Sequence, residues 1–196
     1  MPRKHQKGQD KNTRRSSRRV RYQVAMSLDG FIAGPNGEAD WIIMDPEIDF
    51  KEIYSWFDTM LIGRRTFEVM TRAGGSGSMP GMQVYVCSRT LRQEDYPAVT
   101  IAAEPEAVVA ELRSTPGKDV WLFGGGSLFR SLAESRLVDT VEVAVIPVLL
   151  GEGVPLLPAP ANRVTLKFTG HKLYAKTGII SLQYVVQYGP GPKRRK

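Results

Sequence analysis

Three short stretches of this sequence combine the residue types that grip phosphate. In Gly124-Gly125-Gly126-Ser127 the absence of Cβ atoms lets backbone N–H groups approach a pyrophosphate, and a helix starting there adds the positive end of its dipole. A tight turn is the other use of three glycines. The stretch is not the dinucleotide fingerprint G-x-G-x-x-G, because Phe129 stands where a third glycine belongs and that motif opens the first strand–helix unit of its fold. Gly63-Arg64-Arg65-Thr66 offers two guanidiniums, whose planar forks donate paired charged hydrogen bonds to a terminal phosphate, beside a hydroxyl. Ser88-Arg89 supplies a third set of donors. Any one of these arginines, taken alone, reads equally well as a solvated surface charge.

The hydrophobic pattern around these stretches places each at the end of a strand. A strand over Arg21–Met26 leads into the turn-rich SLDGFIAGPNG, and Phe50, Ile53, Tyr54 and Phe57 fall at i, i+3, i+4, i+7 on one helix face. Met60–Ile62 reads as a buried strand ending at Gly63. A flexible Gly/Ser segment, 73–81, separates it from a strand over Gln83–Cys87 that ends at Ser88. Pro105 opens a helix with Val108, Val109 and Leu112 inward and Gly117 at its end. Val120–Phe123 is a fully buried strand that runs into the triple glycine and a helix carrying Leu128, Phe129, Leu132 and Leu137. The order is α/β. Thr140–Leu150 and Thr165–Tyr188, rich in Val, Ile, Leu and Tyr without helical period, complete the sheet as antiparallel strands. Three strand ends with anion-binding chemistry then point to one extended phosphorylated ligand across the edge of an open sheet.

Composition bounds the remaining possibilities. A chain of 196 residues with 42% hydrophobic content fits one domain. Cys87 is the single cysteine, which excludes an intramolecular disulfide and suits a reducing compartment. No apolar run reaches the roughly 20 residues of a membrane span, and the N-terminus lacks a signal peptide's apolar stretch, so the reading is a soluble cytoplasmic protein. The net charge of +7 is uneven: residues 1–21 hold nine Lys or Arg and residues 193–196 four more, leaving 14 basic against 19 acidic residues between them. The body is acidic, and residues 1–20 and 189–196 read as disordered basic tails flanking one domain over 21–188. Such arms can hold nucleic acid weakly by neutralising phosphates, or be simple solvated extensions.

Four blocks in order carry a family resemblance: Ala25-Met26-Ser27-Leu28-Asp29-Gly30-Phe31-Ile32-Ala33, Gly63-Arg64-Arg65-Thr66-Phe67-Glu68, Phe123-Gly124-Gly125-Gly126-Ser127-Leu128, and Ile146-Pro147-Val148-Leu149-Leu150-Gly151-Glu152-Gly153. Over residues 21–188 the chain resembles the dihydrofolate-reductase superfamily, in its branch similar to the reductase half of the bifunctional riboflavin-biosynthesis deaminase-reductase. The resemblance implies a three-layer α/β fold, with a mostly parallel central sheet, antiparallel C-terminal strands and helices on both faces. It implies NADPH as cofactor, with the nicotinamide between the backbone at Ala25 and the side chain of Ile32, and the pyrophosphate on Gly124, Gly125, Gly126, Ser127 and Leu128. Gly63, Arg64, Arg65, Thr66, Ser88 and Arg89 would surround the adenosine 2′-phosphate and its neighbour. A cis peptide within Gly124-Gly125 and a homodimer follow from the same likeness.

The implied reaction is hydride transfer to a pyrimidine- or pteridine-derived small molecule, with dihydrofolate as the alternative substrate. Folate-reducing members place an acid early on the first helix, and here Asp49, leading the stripe Asp49, Ile53, Trp56, is the candidate. An acid at that place equally stabilises a helix N-terminus. Asp29 before Gly30 is ordinary turn chemistry. His5 and His171 have no partners at metal-ligand spacing, so no metal is expected. A lone cysteine also excludes the zinc-dependent deaminase half. A non-catalytic NADPH-binding protein and a nucleic-acid-binding module acting through its basic arms are the readings from other classes.

Overall fold

The computed structural model describes residues 18–72 and 74–189. Strand β1, Val20–Ser27, alternates strictly: Val20, Tyr22, Val24 and Met26 face one core, while Arg21, Gln23 and Ala25 face the other side. The short β2, Phe31–Ala33, follows it, then helix α1, Phe50–Ser55. Next come strand β3, Phe57–Gly63, helix α2, Arg64–Arg72, strand β4, Gln83–Cys87, and strand β5, Thr100–Ala102. Helix α3, Pro105–Ser114, strand β6, Asp119–Gly124, and helix α4, Gly126–Glu134, lead to strand β7, Thr140–Ile146. Strands β8, Val154–Pro155, β9, Thr165–Tyr174, and β10, Ile179–Gln187, close the chain.

Eight strands form one sheet in the order β5-β4-β3-β6-β1-β7-β10-β9, and β2 pairs with β8. Pairing is parallel from β5 to β7 and antiparallel through β10 and β9. Alternation along β3 and β6 sorts the core into two layers. Leu61, Val120 and Leu122 pack with Val109 and Leu112 of α3 and Leu128, Phe129 and Leu132 of α4, where Tyr22 stacks on Phe129 at 4.1 Å. Met60, Ile62 and Trp121 pack on the opposite face with Phe67 of α2 and Ile53 of α1. The sheet with helices on both faces is the α/β architecture expected from the sequence. Among the described residues no helix is long and apolar enough to cross a membrane.

Several boundaries differ from the sequence reading. Residues 18–20 belong to the fold and not to the N-terminal tail: the Arg18 guanidinium is buried on Asp58, donates to the Thr59 hydroxyl at 2.6 Å and reaches the Lys118 carbonyl at 2.7 Å. Residues 1–17 and 190–196, the rest of the expected tails, lie outside the described residues. Phe57 does not extend the α1 stripe; it starts β3 and stacks on Trp121 at 5.4 Å, because pairing with β6 takes over at that point. Helix α3 ends at Ser114. Gly117 answers a different demand: a Cβ there would lie 2.6 Å from Cζ of Arg18. Helix α4 likewise stops before Leu137, whose N–H donates to the Leu132 carbonyl at 2.8 Å after Arg136 turns at φ 60°. In the Gly/Ser segment after α2, a Cβ on Gly77 would sit 2.2 Å from the Phe67 ring, so this stretch is packed onto the helix.

Candidate functional site

Parallel strands that all end on one side leave a groove beyond their C-termini. Here it is a cleft of about 1370 Å³ that runs from Ala103 and Pro105 after β5, past the ends of β4, β3 and β6, and onto the face of β1, β7 and β10. Every residue expected to contact the cofactor lines it: Ala25, Ile32, Gly63 to Thr66, Ser88, Arg89 and Gly124 to Leu128.

The corners expected to bind phosphate meet directly. A Cβ on Gly63 would come within 3.6 Å of the Gly125 nitrogen, so the bend after β3 backs onto the glycine bend after β6. A Cβ on Gly125 would meet only the Thr66 hydroxyl, at 3.3 Å, which leaves this backbone open to the cleft. The Gly124–Gly125 peptide is cis. Leu128 and Phe129 N–H both donate to the Gly125 carbonyl at 3.1 Å, so the N–H groups of Gly126 and Ser127 form the unpaired first turn of α4. Gly126 differs from its neighbours: a Cβ there would lie 2.6 Å from the Pro155 carbonyl, and its bareness serves packing of α4 on that segment.

Ser88 is buried, and its Oγ accepts from the Thr90 and Leu91 N–H groups at 3.2 and 3.1 Å, setting the turn that presents Arg89. Arg64 reaches the same turn through Thr90 and pairs with Glu68 at 3.6 Å. Burial, aided by Glu106, pushes the Cys87 thiol up to about 12, so it adds no negative charge beside the guanidiniums. Open peptide backbone, three arginines and two hydroxyls along one groove fit a phosphorylated dinucleotide.

Nearer the sheet centre, Ala25 and Ile32 are joined by a braced turn. Ser27 donates to Asp29 at 2.6 Å and accepts from the Phe31 N–H at 2.9 Å, with Gly30 at φ 93° completing the bend. Asp29 also accepts from Leu150 and Gly151 N–H groups at 3.0 and 2.7 Å, tying this turn to the Leu149-Leu150-Gly151 loop. The Ser27 hydroxyl first, and the Gly151 N–H second, hold the Asp29 carboxyl below its ordinary range. Asp29 is thus a turn residue that also latches a second loop.

The acid proposed for the substrate side is elsewhere. Asp49 is exposed and does not line the cleft; its Oδ1 accepts from the Glu52 N–H at 2.8 Å and caps α1. The stretch contributes Met44, Ile48 and Phe50 to the lining but none of its carboxylates, since Asp45 is buried against the Thr177 hydroxyl at 2.7 Å. A helix start claims Asp49, and this overrides its place on the stripe.

Two polar residues at this end went unnoticed in the sequence. Gln23 of β1 and Glu142 of β7 are register partners, and both line the cleft. Glu142 receives Nε and Nη2 of Arg21 at 2.8 and 2.7 Å and the Thr140 hydroxyl at 2.9 Å. The Gln23 side-chain oxygen is buried without a hydrogen-bond partner among the described residues. Trp121, whose Nε1 donates to the Gln23 main-chain carbonyl at 3.1 Å, stands beside Gln23 and carries Tyr54 on its ring at 5.6 Å. The available signal was an acid inside the apolar run Val141-Glu142-Val143 and polar residues at alternate positions of β1.

A family model for the RibD C-terminal domain matches residues 18–180. The uncharacterized protein YyaP of Bacillus subtilis (strain 168) is 35% identical over 178 residues, covering 85% of this chain and 94% of that protein. Among solved structures, dihydrofolate reductase from Enterococcus faecalis complexed with NADP(H) superposes with a TM-score of 0.65 at 18% identity, covering 87% of this chain and 97% of that one. The diaminohydroxyphosphoribosylaminopyrimidine deaminase/5-amino-6-(5-phosphoribosylamino)uracil reductase of Thermotoga maritima gives 0.62 at 17% identity, covering 87% of this chain and 57% of that one.

Proposed function

The chain belongs to the RibD C-terminal domain family, and from that premise we propose that it is an NADPH-dependent reductase transferring hydride to a pyrimidine-derived substrate of the 5-amino-6-(5-phosphoribosylamino)uracil type. The observation that carries the reading is one cleft that joins the three glycine-, arginine- and serine-bearing strand ends to the face of β1, β7 and β10. When bound, the nicotinamide supplies the hydride from its C4. The chain's own residues supply position, which is a large share of the rate in such transfers.

Gly124, Gly125, Gly126, Ser127 and Leu128 hold the pyrophosphate through backbone N–H groups and the α4 terminus. Gly63, Arg64, Arg65, Thr66, Ser88 and Arg89 surround the 2′-phosphate, so the cofactor is NADPH and not NADH. Ala25 and Ile32 flank the nicotinamide, with the Asp29 latch fixing the turn between them.

Dihydrofolate is the weaker substrate reading, because none of the carboxylates between Asp45 and Asp49 lines the cleft to protonate a pterin ring. The same family reading carries a homodimer, for which Leu166, Phe168 and Val185 on the β9–β10 hairpin offer exposed apolar side chains. It also carries a cytoplasmic location.

Loss of the reduced nicotinamide's absorbance tests the activity, with the ribosylaminopyrimidine and dihydrofolate as separate acceptors. Consumption with the first supports the proposal. No consumption with either removes both substrates, and saturable NADPH binding in that case leaves a cofactor-binding protein.

A further inference from the structure

We propose that the end of the sheet away from the cleft binds the phosphate backbone of a nucleic acid, a function separate from the reductase reading. Its frame is a groove of about 380 Å³ between the end of α4, the loop before β9 and the residues that end β10. The groove shares no lining residue with the cleft.

Unpaired positive charge picks this groove out. Among the described residues, the arginines without a carboxylate ion pair fall into two sets. Arg65, Arg72 and Arg89 line the cleft, where a phosphorylated ligand is expected. Arg130, Arg136 and Arg163 line the groove, with Glu134 as the one acid among its lining residues. Two of these three are held by neutral groups that leave their charge intact. Arg130 Nη1 donates to the Pro160 carbonyl at 3.0 Å, while Arg136 donates to the Gly189 carbonyl and lies over the Tyr188 ring at 5.4 Å. Each guanidinium so fixed keeps further N–H donors for an anion. Arg163 is exposed.

The topology brings more positive charge to the same place. The Val20 carbonyl accepts from the Asp139 N–H at 2.8 Å, and the Asp139 carbonyl accepts from the Val186 N–H at 2.9 Å. The start of β1 and the end of β10 thus flank the start of β7, about 10 Å apart at the usual strand spacing. Residues 1–17, with Arg3, Lys4, Lys7, Lys11, Arg14 and Arg15 against Asp10, therefore join the fold beside residues 190–196, which carry Lys193, Arg194, Arg195 and Lys196.

This spread of charge fits a polymer. A single phosphate engages one or two guanidiniums, whereas a duplex presents a charge about every 1.7 Å of its axis and can pair with the groove and both basic segments together. A concave basic groove suits a strand of phosphates better than the plane of a bilayer. The Tyr188 ring is covered by Arg136 and offers no platform to a base, so recognition runs through the backbone without sequence preference.

Fluorescence anisotropy of the full chain on a labelled DNA duplex of about 30 base pairs tests this, and affinity should fall about a hundredfold or more between about 50 and 200 mM salt. Arg163→Glu should weaken binding by about fivefold or more and flatten the salt dependence, while Arg163→Lys binds as the wild type does. Arg14→Gln with Arg15→Gln, and Arg194→Gln with Arg195→Gln, should each weaken it at least as much. Thermal midpoints should hold for the Arg163 variants, because the described fold gives that side chain no hydrogen bond or ion pair. Competition by single-stranded RNA of equal length shows which nucleic acid is preferred, and preference for either supports the proposal. Three results overturn it: no duplex binding at low salt, unchanged affinity in Arg163→Glu or in either paired variant, and phosphatidylserine–phosphatidylcholine vesicles that compete more strongly than nucleic acid at equal charge. None of these outcomes bears on NADPH binding, so the reductase reading stands or falls apart from them.

Discussion

Arg64, the first residue of α2, donates from Nη1 to the Thr90 hydroxyl at 3.2 Å, so the corner after β3 and the turn after β4 are joined by a side chain. The same turn carries Arg89 into the cleft. Both guanidiniums therefore reach one volume from two strand ends, as a single terminal phosphate requires.

Replacing both, Arg64→Ala with Arg89→Ala, should lower NADPH affinity by about tenfold or more, since hydrogen bonds to charged groups are worth about 1.5–3 kcal/mol. NADH affinity should hold, because it lacks the phosphate these residues address. Paired binding titrations check this, and an equal loss for both cofactors places the arginines outside the 2′-phosphate contacts.

Asp49 separates a capping role from a catalytic one. Its carboxylate accepts from the Glu52 N–H at 2.8 Å and does not line the cleft. Asp49→Ala should cost about 0.5–2 kcal/mol of stability, the usual loss for a helix N-cap. The single-turnover hydride rate should be unchanged below the melting range. A large drop in that rate with an intact melting curve would return the residue to the chemistry.

The convergence of the three strand ends on one cleft was legible because its signals are local: a glycine run, paired arginines and Ser-Arg each sit directly after an apolar strand, and strand order alone brings them together. The inner end was not, because Gln23 and Glu142 are 119 positions apart and meet only through the β1–β7 register. Helix ends were missed for a related reason. Helix α4 closes with Arg136 at φ 60° where glycine is usual, and Leu137 caps back onto Leu132. Gly117 looked like a stop signal but yields space to Arg18, a contact between distant segments.

The buried Arg21–Glu142 pair should behave asymmetrically. Glu142→Leu alone strands a guanidinium whose side chain is 11% exposed, and breaking such pairs costs about 3–5 kcal/mol. The loss should fall near 3 kcal/mol here, since Asp119 remains 3.5 Å from Nη1. Arg21→Met combined with Glu142→Leu should recover most of it, because packed apolar side chains then replace both charges. Urea denaturation of the two variants checks the order; a double variant weaker than the single one contradicts it.

Acid should release the Asp29 latch. Its carboxyl is held below its ordinary value of 3.8 by the Ser27 hydroxyl and then the Gly151 N–H. A depressed folded-state value means the contribution is complete above the ordinary value and fades as pH drops through the lowered one. Asp29→Asn should accordingly melt a few degrees below the wild type at neutral pH, with the gap closing below pH 3.8. A gap independent of pH would mean that the carboxylate charge contributes nothing to the latch.

Adjacent glycines in the cradle should fail in different ways. A methyl at Gly126 meets the Pro155 carbonyl at 2.6 Å and Pro158 Cδ at 2.8 Å, contacts that demand movement of backbone and ring. Gly126→Ala should therefore cost about 1–3 kcal/mol through overpacking, and weaken the cofactor only as far as α4 shifts. A methyl at Gly125 meets the Thr66 hydroxyl alone, at 3.3 Å, and projects where the pyrophosphate would lie. Gly125→Ala should melt within about 1 kcal/mol of the wild type while NADPH affinity falls by about tenfold or more, because a Cβ bars close approach to the backbone N–H groups. Melting curves and NADPH titrations on the two variants separate the roles. If Gly125→Ala binds NADPH as the wild type does, the open backbone at the end of β6 is a turn and not a cradle.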